Sequence, residues 1–183
     1  MTDDKSTHIK STPSIFILDV DGVMTNGQFI YTADGKAMKI FGPDDNDGLS
    51  LLKPHIDIRF VTGDKKGFAI SNKRIADDMG FNLDLVSTIK RVDWVAERYS
   101  LDNVIYMGDG IFDHYVMKKV AYSIAPANAD KNAKKYASFV TERSGGDRAV
   151  AEACLHILEQ FFIPYDPEQL PYSQMKFSGE WAV

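Results

Sequence analysis

The chain holds one cysteine, Cys154, in 183 residues. No internal disulfide can form, and the composition fits a reducing compartment. Cys154 sits at helical spacing with Ala151, Leu155 and Leu158, which marks it as a packing residue and not a nucleophile. A basic surplus is also missing: 26 acidic side chains against 21 basic ones leave a formal charge of -5. Neither nucleic acid nor an anionic membrane surface is therefore an expected partner. No apolar run reaches the roughly 20 residues that cross a bilayer. The opening dozen residues are polar and lack the apolar segment of a secretory signal, so the expected location is the cytoplasm. There is no internal repeat and no low-complexity tract.

What is present is an ordinary globular composition, 44% hydrophobic and 26% charged, at a length that suits one well-filled core. We expect a flexible arm over 1–13, a single domain over 14–162, and a tail over 163–183 whose prolines, tyrosines and Trp181 follow no period. Within the domain, short apolar runs alternate with helical patterns. Strands are expected at 14–18, 56–61, 83–86, 103–107, 121–124 and 138–140, and helices at 66–79, 89–99, up to 119, 129–136 and 146–161, with a short one carrying Leu49, Leu51 and Leu52. Strands separated by helices predict an α/β fold, a doubly wound, Rossmann-like parallel sheet covered on both faces. One segment departs from this rhythm. Residues 28–41 alternate around Asp34-Gly35, a β-hairpin signal inserted after the first strand.

Three of these strands end in functional turn chemistry. The first runs into Asp19-Val-Asp21-Gly22, the second into Thr62-Gly63, and a later one into Gly108-Asp109 with Asp113 close behind. Alone, Asp19-Val-Asp21 reads equally well as an acidic turn or as a site. In a doubly wound sheet, however, such ends lie side by side at the carboxyl edge, where ligands bind. Four carboxylates gathered there cannot all stay ionised without a cation. Oxygen-only ligands favour a hard ion, with Mg²⁺ the usual choice when a phosphate completes the shell. Lys90, at a helix start, can reach the same crevice and hold a phosphoryl oxygen; Arg91 stands beside it, and the other reading of either is a solvated helix residue. His55, His114 and His156 are scattered and read as surface residues.

In this order and on strand ends, Asp19-Val-Asp21-Gly-Val, Thr62-Gly63, Lys90 and Gly108-Asp109 with Asp113 resemble the four motifs of the haloacid dehalogenase superfamily of phosphohydrolases. The hairpin, the stretch from Phe41 to Asp47-Gly48 and the late Gly145-Gly146-Asp147-Arg148 are similar to its small branch without a large cap domain, which acts on octulosonate and nonulosonate phosphates. The resemblance implies that Asp19 is the nucleophile and Asp21 the acid/base, and that Thr62, Gly63 and Lys90 bind the phosphoryl group. It further implies that Mg²⁺ is held by Asp19, Asp109 and the main-chain carbonyl of Asp21, with Asp113 orienting that shell. The implied substrate is a small phosphorylated sugar acid. A homotetramer with hairpin 28–41 at its interface is implied as well.

The departures fall on the substrate side. Asp64 stands where the octulosonate enzymes usually carry an arginine, Gly110 where they carry an aspartate, and residues 42–46 replace a shorter loop. Arg148, at a usual glycine, is a candidate compensating cation. Two other readings remain: a non-catalytic scaffold that retains the fold, and a phosphotransferase that uses the same aspartyl-phosphate.

Overall fold

The computed structural model describes residues 12–171. The expected arm and tail therefore lie largely outside the described residues, and Trp181 wholly so.

The first strand, β1 (Ile15–Asp19), is buried at every position, as a strand covered on both faces must be. It lies at the centre of a six-stranded parallel sheet. On one side are β4 (Asp57–Thr62) and β5 (Asn82–Leu85); on the other are β6 (Val104–Met107), β7 (Tyr122–Ala125) and β8 (Phe139–Val140). After β1 the chain fills one flank of the sheet and then returns to fill the other. The order reverses between β1 and β6, which places a crevice at the carboxyl end of β1.

Alternation along β1 splits the core in two. Phe16 and Leu18 pack with Phe60, Ile105 and Met107 beneath α1 (Asp44–Leu52) and α6 (Ala149–Phe161). Ile15 and Ile17 pack on the opposite face with Val61, Tyr106 and Val95, the last from α3 (Arg91–Arg98). Helices α4 (His114–Met117) and α5 (Lys131–Tyr136) cover that face too, through Val116, Met117 and Ala133. Cys154 is fully buried beside Ile157 and Leu158, as its spacing predicts. No helix among the described residues is long and apolar enough to cross a membrane.

Local chemistry moved three boundaries. The hairpin consists of β2 (Ile30–Thr32) and β3 (Gly35–Met38), and Gly35 pairs with Thr32 instead of forming the turn. The turn is Ala33-Asp34, closed by a hydrogen bond from the Asp34 amide to Thr32 Oγ1 of 3.3 Å. The helix expected over 66–79 starts as α2 (Phe68–Asn72) and widens into a π-helix over Lys73–Asp78. Helix α6 begins three residues late because Gly145 and Gly146 are spent on a turn against the first loop. A Cβ on Gly145 would lie 1.8 Å from the Gly22 carbonyl oxygen.

Candidate active site

Asp19 ends β1, and its register neighbour Val61 is followed by Thr62, the end of β4. Gly108 follows Met107, which pairs with Leu18. The three strand ends thus bring Asp19, Thr62 and Asp109 to one edge, as the sequence predicts. The loop after β1 is closed by Thr25, whose Oγ1 accepts from the amides of Gly22 and Gly27, each at 3.2 Å. Gly22 has φ +86, and a Cβ there would fall 1.9 Å from Asp109 Oδ2. Glycine is what lets the Asp109 carboxylate close on the loop.

Asp19, Asp109 and Asp113 each present an oxygen within 4.8 Å of the others. Burial pushes the Asp109 carboxyl up to about 8, helped by the negative charges of Asp19 and Asp113. Burial likewise raises Asp19 to about 6, against the pull of Arg91. Three crowded carboxylates of this kind fit a hard dication, whose charge relieves the repulsion. Asp113 is already committed: its Oδ1 accepts from the Tyr106 hydroxyl at 2.6 Å and its Oδ2 from the Gly110 amide at 2.8 Å. Both Asp19 oxygens are engaged as well, by Arg91 and by the Val20 amide, so an ion held by Asp19 and Asp109 would share Asp19 with the guanidinium.

Of the two neighbouring basic residues, Arg91 and not Lys90 lies in the crevice. Lys90 is exposed at the end of a 3₁₀ turn over Thr88–Lys90. Arg91 opens α3 and is 1% exposed. Its guanidinium spans Asp19 (Nη1–Oδ2 2.7 Å, Nη2–Oδ1 2.9 Å), Asp113 Oδ1 (2.9 Å) and the Tyr106 hydroxyl (2.9 Å). Neighbouring helix positions differ by about 100° in direction, so only one of the two can face inward. Arg91 shares its face with buried Val95, and that i, i+4 spacing was the available signal.

Asp21 is gripped from two sides. Thr62 Oγ1 donates to its Oδ2 at 3.1 Å, and Lys39 Nζ lies 2.6 Å from its Oδ1. Lys39 comes from the hairpin, directly after β3, and also reaches Asp64 (2.9 Å) and Ser71 Oγ (2.8 Å). Lys36, on β3, pairs with the same Asp64 carboxylate. These two lysines and Tyr106 have no motif of their own in the sequence. Gly63 sits against Thr88, whose Oγ1 would be 3.0 Å from an added Cβ. Arg148 joins none of this. It pairs with Asp44 at the start of α1, where both side chains are more than two-fifths exposed, so the role of compensating cation is not supported.

A model of the haloacid dehalogenase-like hydrolases matches residues 89–153. The 3-deoxy-D-manno-octulosonate 8-phosphate phosphatase of Salmonella typhi is 30% identical over 162 residues, covering 81% of this chain and 82% of that protein. Among solved structures, the octulosonate phosphatase of Moraxella catarrhalis, in complex with a magnesium ion, a phosphate ion and a KDO molecule, superposes with a TM-score of 0.72. It is 27% identical and covers 80% of this chain and 86% of that one. A probable phosphatase from Pseudomonas syringae gives a TM-score of 0.74 at 29% identity, covering 84% and 89%. With that 30% identity over four-fifths of both chains, and with Asp19 at the end of β1 and Asp21 and Asp109 in the loops that follow β1 and β6, the chain belongs to the haloacid dehalogenase-like hydrolases, among phosphatases of the octulosonate 8-phosphate type.

Proposed function

We propose that the protein is a Mg²⁺-dependent phosphomonoester hydrolase for a phosphorylated 2-keto-3-deoxy sugar acid, working through an aspartyl-phosphate on Asp19. The observation that carries this reading is the division between two carboxylates on one loop. Asp19 points to the acidic cluster and Arg91, while Asp21 is held by Thr62 and Lys39.

An Asp19 oxygen attacks phosphorus as the bond to the sugar oxygen breaks, and Asp21 delivers a proton to that oxygen. Water then attacks the aspartyl-phosphate, with Asp21 taking its proton and Asp19 released. Arg91 stabilises the phosphoryl oxygens, whose charge is spread in the transition state, and Thr62 orients Asp21 against the leaving side. Asp19, Asp109 and the Asp21 carbonyl would hold Mg²⁺, which supplies positive charge to the transferring group and keeps Asp19 ionised.

The hairpin exposes Phe29, Ile30, Tyr31, Met38 and Ile40 on one insertion, which supports self-assembly through this element, with a homotetramer as the expected state. Cytoplasmic action suits an enzyme whose only cysteine is buried and unpaired. Incubation with Mg²⁺ and a panel of sugar-acid phosphates should release phosphate, and Asp19→Asn should abolish it. Turnover that survives Asp19→Asn would rule out the covalent route.

A further inference from the structure

We propose that Lys36 and Lys39 form the subsite that reads the carboxylate of the leaving sugar acid, and that Asp64 fills it while substrate is absent. This rests on the phosphatase reading above and names the residues that set its specificity.

Both ammonium groups converge on Asp64. The Lys36 side chain is only 4% exposed and that of Lys39 is fully buried. The Phe29 ring lies 3.3 Å from Lys36 Nζ and fixes its position from the hairpin side. Opposite, Gly67 gives the two stems room, since a Cβ there would lie 2.8 Å from Lys36 Cδ and 2.9 Å from Lys39 Cε. The Gly67 amide also holds Asp64, donating to its Oδ1 at 3.0 Å. This is a fitted pocket for a carboxylate.

Its cost and its place argue for a ligand. Buried lysines are rare, and apolar side chains of similar volume would hold a hairpin down equally well or better. Two lysines kept at one such contact therefore point to use beyond docking. Lys39 also touches Asp21, the residue proposed to protonate the leaving oxygen, so the cluster lies on the leaving-group side of phosphorus. Lys39 is committed to Asp21, Asp64 and Ser71. Lys36 has one carboxylate partner, Asp64, and is the cation that can exchange it for a substrate carboxylate at the least loss. Asp64 brings a negative charge beside Thr62-Gly63, and the two hairpin lysines are the cations that meet it.

The test compares kcat/KM for 3-deoxy-D-manno-octulosonate 8-phosphate and for its C1 amide. The wild type should prefer the acid. Lys36→Met should cut the acid-to-amide ratio about 10- to 100-fold, mainly through KM of the acid, and Lys36→Arg should keep it within about threefold. Asp64→Asn should lower KM for the acid several-fold relative to KM for the amide, because the internal competitor is gone; it also stands as the test if Lys36→Met does not fold. Equal use of both esters by the wild type, a ratio untouched by Lys36→Met, a ratio that Lys36→Arg fails to keep, or a KM for the acid raised relative to the amide in Asp64→Asn overturns the proposal alone. A wild type that releases phosphate from no member of the sugar-acid panel overturns the phosphatase reading and this proposal with it; one that acts only on another member is tested with the acid and amide of that compound.

Discussion

Arg91 lies along the Asp19 carboxylate as a two-pronged pair, Nη1 to Oδ2 at 2.7 Å and Nη2 to Oδ1 at 2.9 Å, with neither side chain more than 9% exposed. A buried fork of this kind sets the direction of Asp19 and supplies the only cation that meets all three of its neighbours Asp19, Asp113 and Tyr106 among the described residues. Arg91→Met should therefore lower kcat/KM about 10²- to 10³-fold, the scale for removing one transition-state donor. It should also cost about 3 to 5 kcal/mol of stability, because two buried carboxylates lose their partner. Lys90→Met should change kcat/KM less than about threefold, since an exposed charge contributes little. Steady-state kinetics on the two variants decide between these neighbours, and the reverse ranking would return the role to Lys90.

The contrast between Lys90 and Arg91 shows which parts of this protein were legible in its sequence. Asp19, Thr62 and Asp109 could be read because each ends an apolar run, and strand ends of a parallel sheet meet at one edge. Arg91 differs from Lys90 only in helical phase, and a short helix after a 3₁₀ turn leaves that phase open by one residue. Lys36 and Lys39 were hidden for another reason. The hairpin was identifiable, but its docking depends on tertiary contacts to Asp21, Asp64 and Ser71, which lie up to 32 residues away along the chain. Tyr106 reads as a core strand residue and is one; its hydroxyl meets Asp113 only because the turn at Gly110 folds back.

Metal binding should release protons below pH 8. In the metal-free protein burial, Asp19 and Asp113 raise Asp109 to about 8, so at pH 7 its carboxyl is largely protonated and a binding ion must displace that proton. The same raised value means that the stability Asp109 contributes is full below about pH 4 and is lost as the pH climbs through 8 in the absence of metal. Mg²⁺ affinity should rise by up to about tenfold per pH unit between 6.5 and 8 and then level off. Below about 6 Asp19 adds a second proton. Calorimetric titrations in buffers of different ionisation enthalpy count the protons. No release at pH 6.5 would show that Asp109 is ionised before the ion arrives.

Asp45 should limit stability at neutral pH. It is 1% exposed, and its Oδ1 accepts from the Ala151 amide at 3.0 Å in the first turn of α6. A helix N-terminus favours a negative charge. Burial opposes this and is the larger effect, raising the carboxyl to about 6. A raised value means that the stabilising protonated form is complete below about pH 4 and is lost as the pH rises through 6. Asp45→Asn keeps an acceptor for Ala151 without the charge, and should stabilise the fold at pH 7 by up to about 3 kcal/mol while giving no gain at pH 4. Urea unfolding at the two pH values checks both halves. A variant less stable at pH 7 would mean that the helix terminus outweighs burial.

Gly22→Ala should separate the fold from the chemistry. The backbone strain is modest, since an alanine at φ +86 costs about 1 to 2 kcal/mol, and a domain of this size survives that. The consequence for the site is larger, because the new Cβ would land 1.9 Å from Asp109 Oδ2 and 2.2 Å from its Cγ. Asp109 cannot withdraw with its backbone, whose carbonyl accepts from the Asp130 amide at 2.8 Å, and Gly108 before it is packed against Asp113, with an added Cβ only 2.6 Å from that carboxylate carbon. The side chain must therefore rotate out of the cluster with Asp19. We expect Gly22→Ala to melt cooperatively within about 8 °C of the wild type, to bind Mg²⁺ at least about tenfold more weakly, and to lose at least about 10²-fold in phosphate release. A variant with normal metal affinity and turnover would show that Asp109 is not the carboxylate that holds the ion.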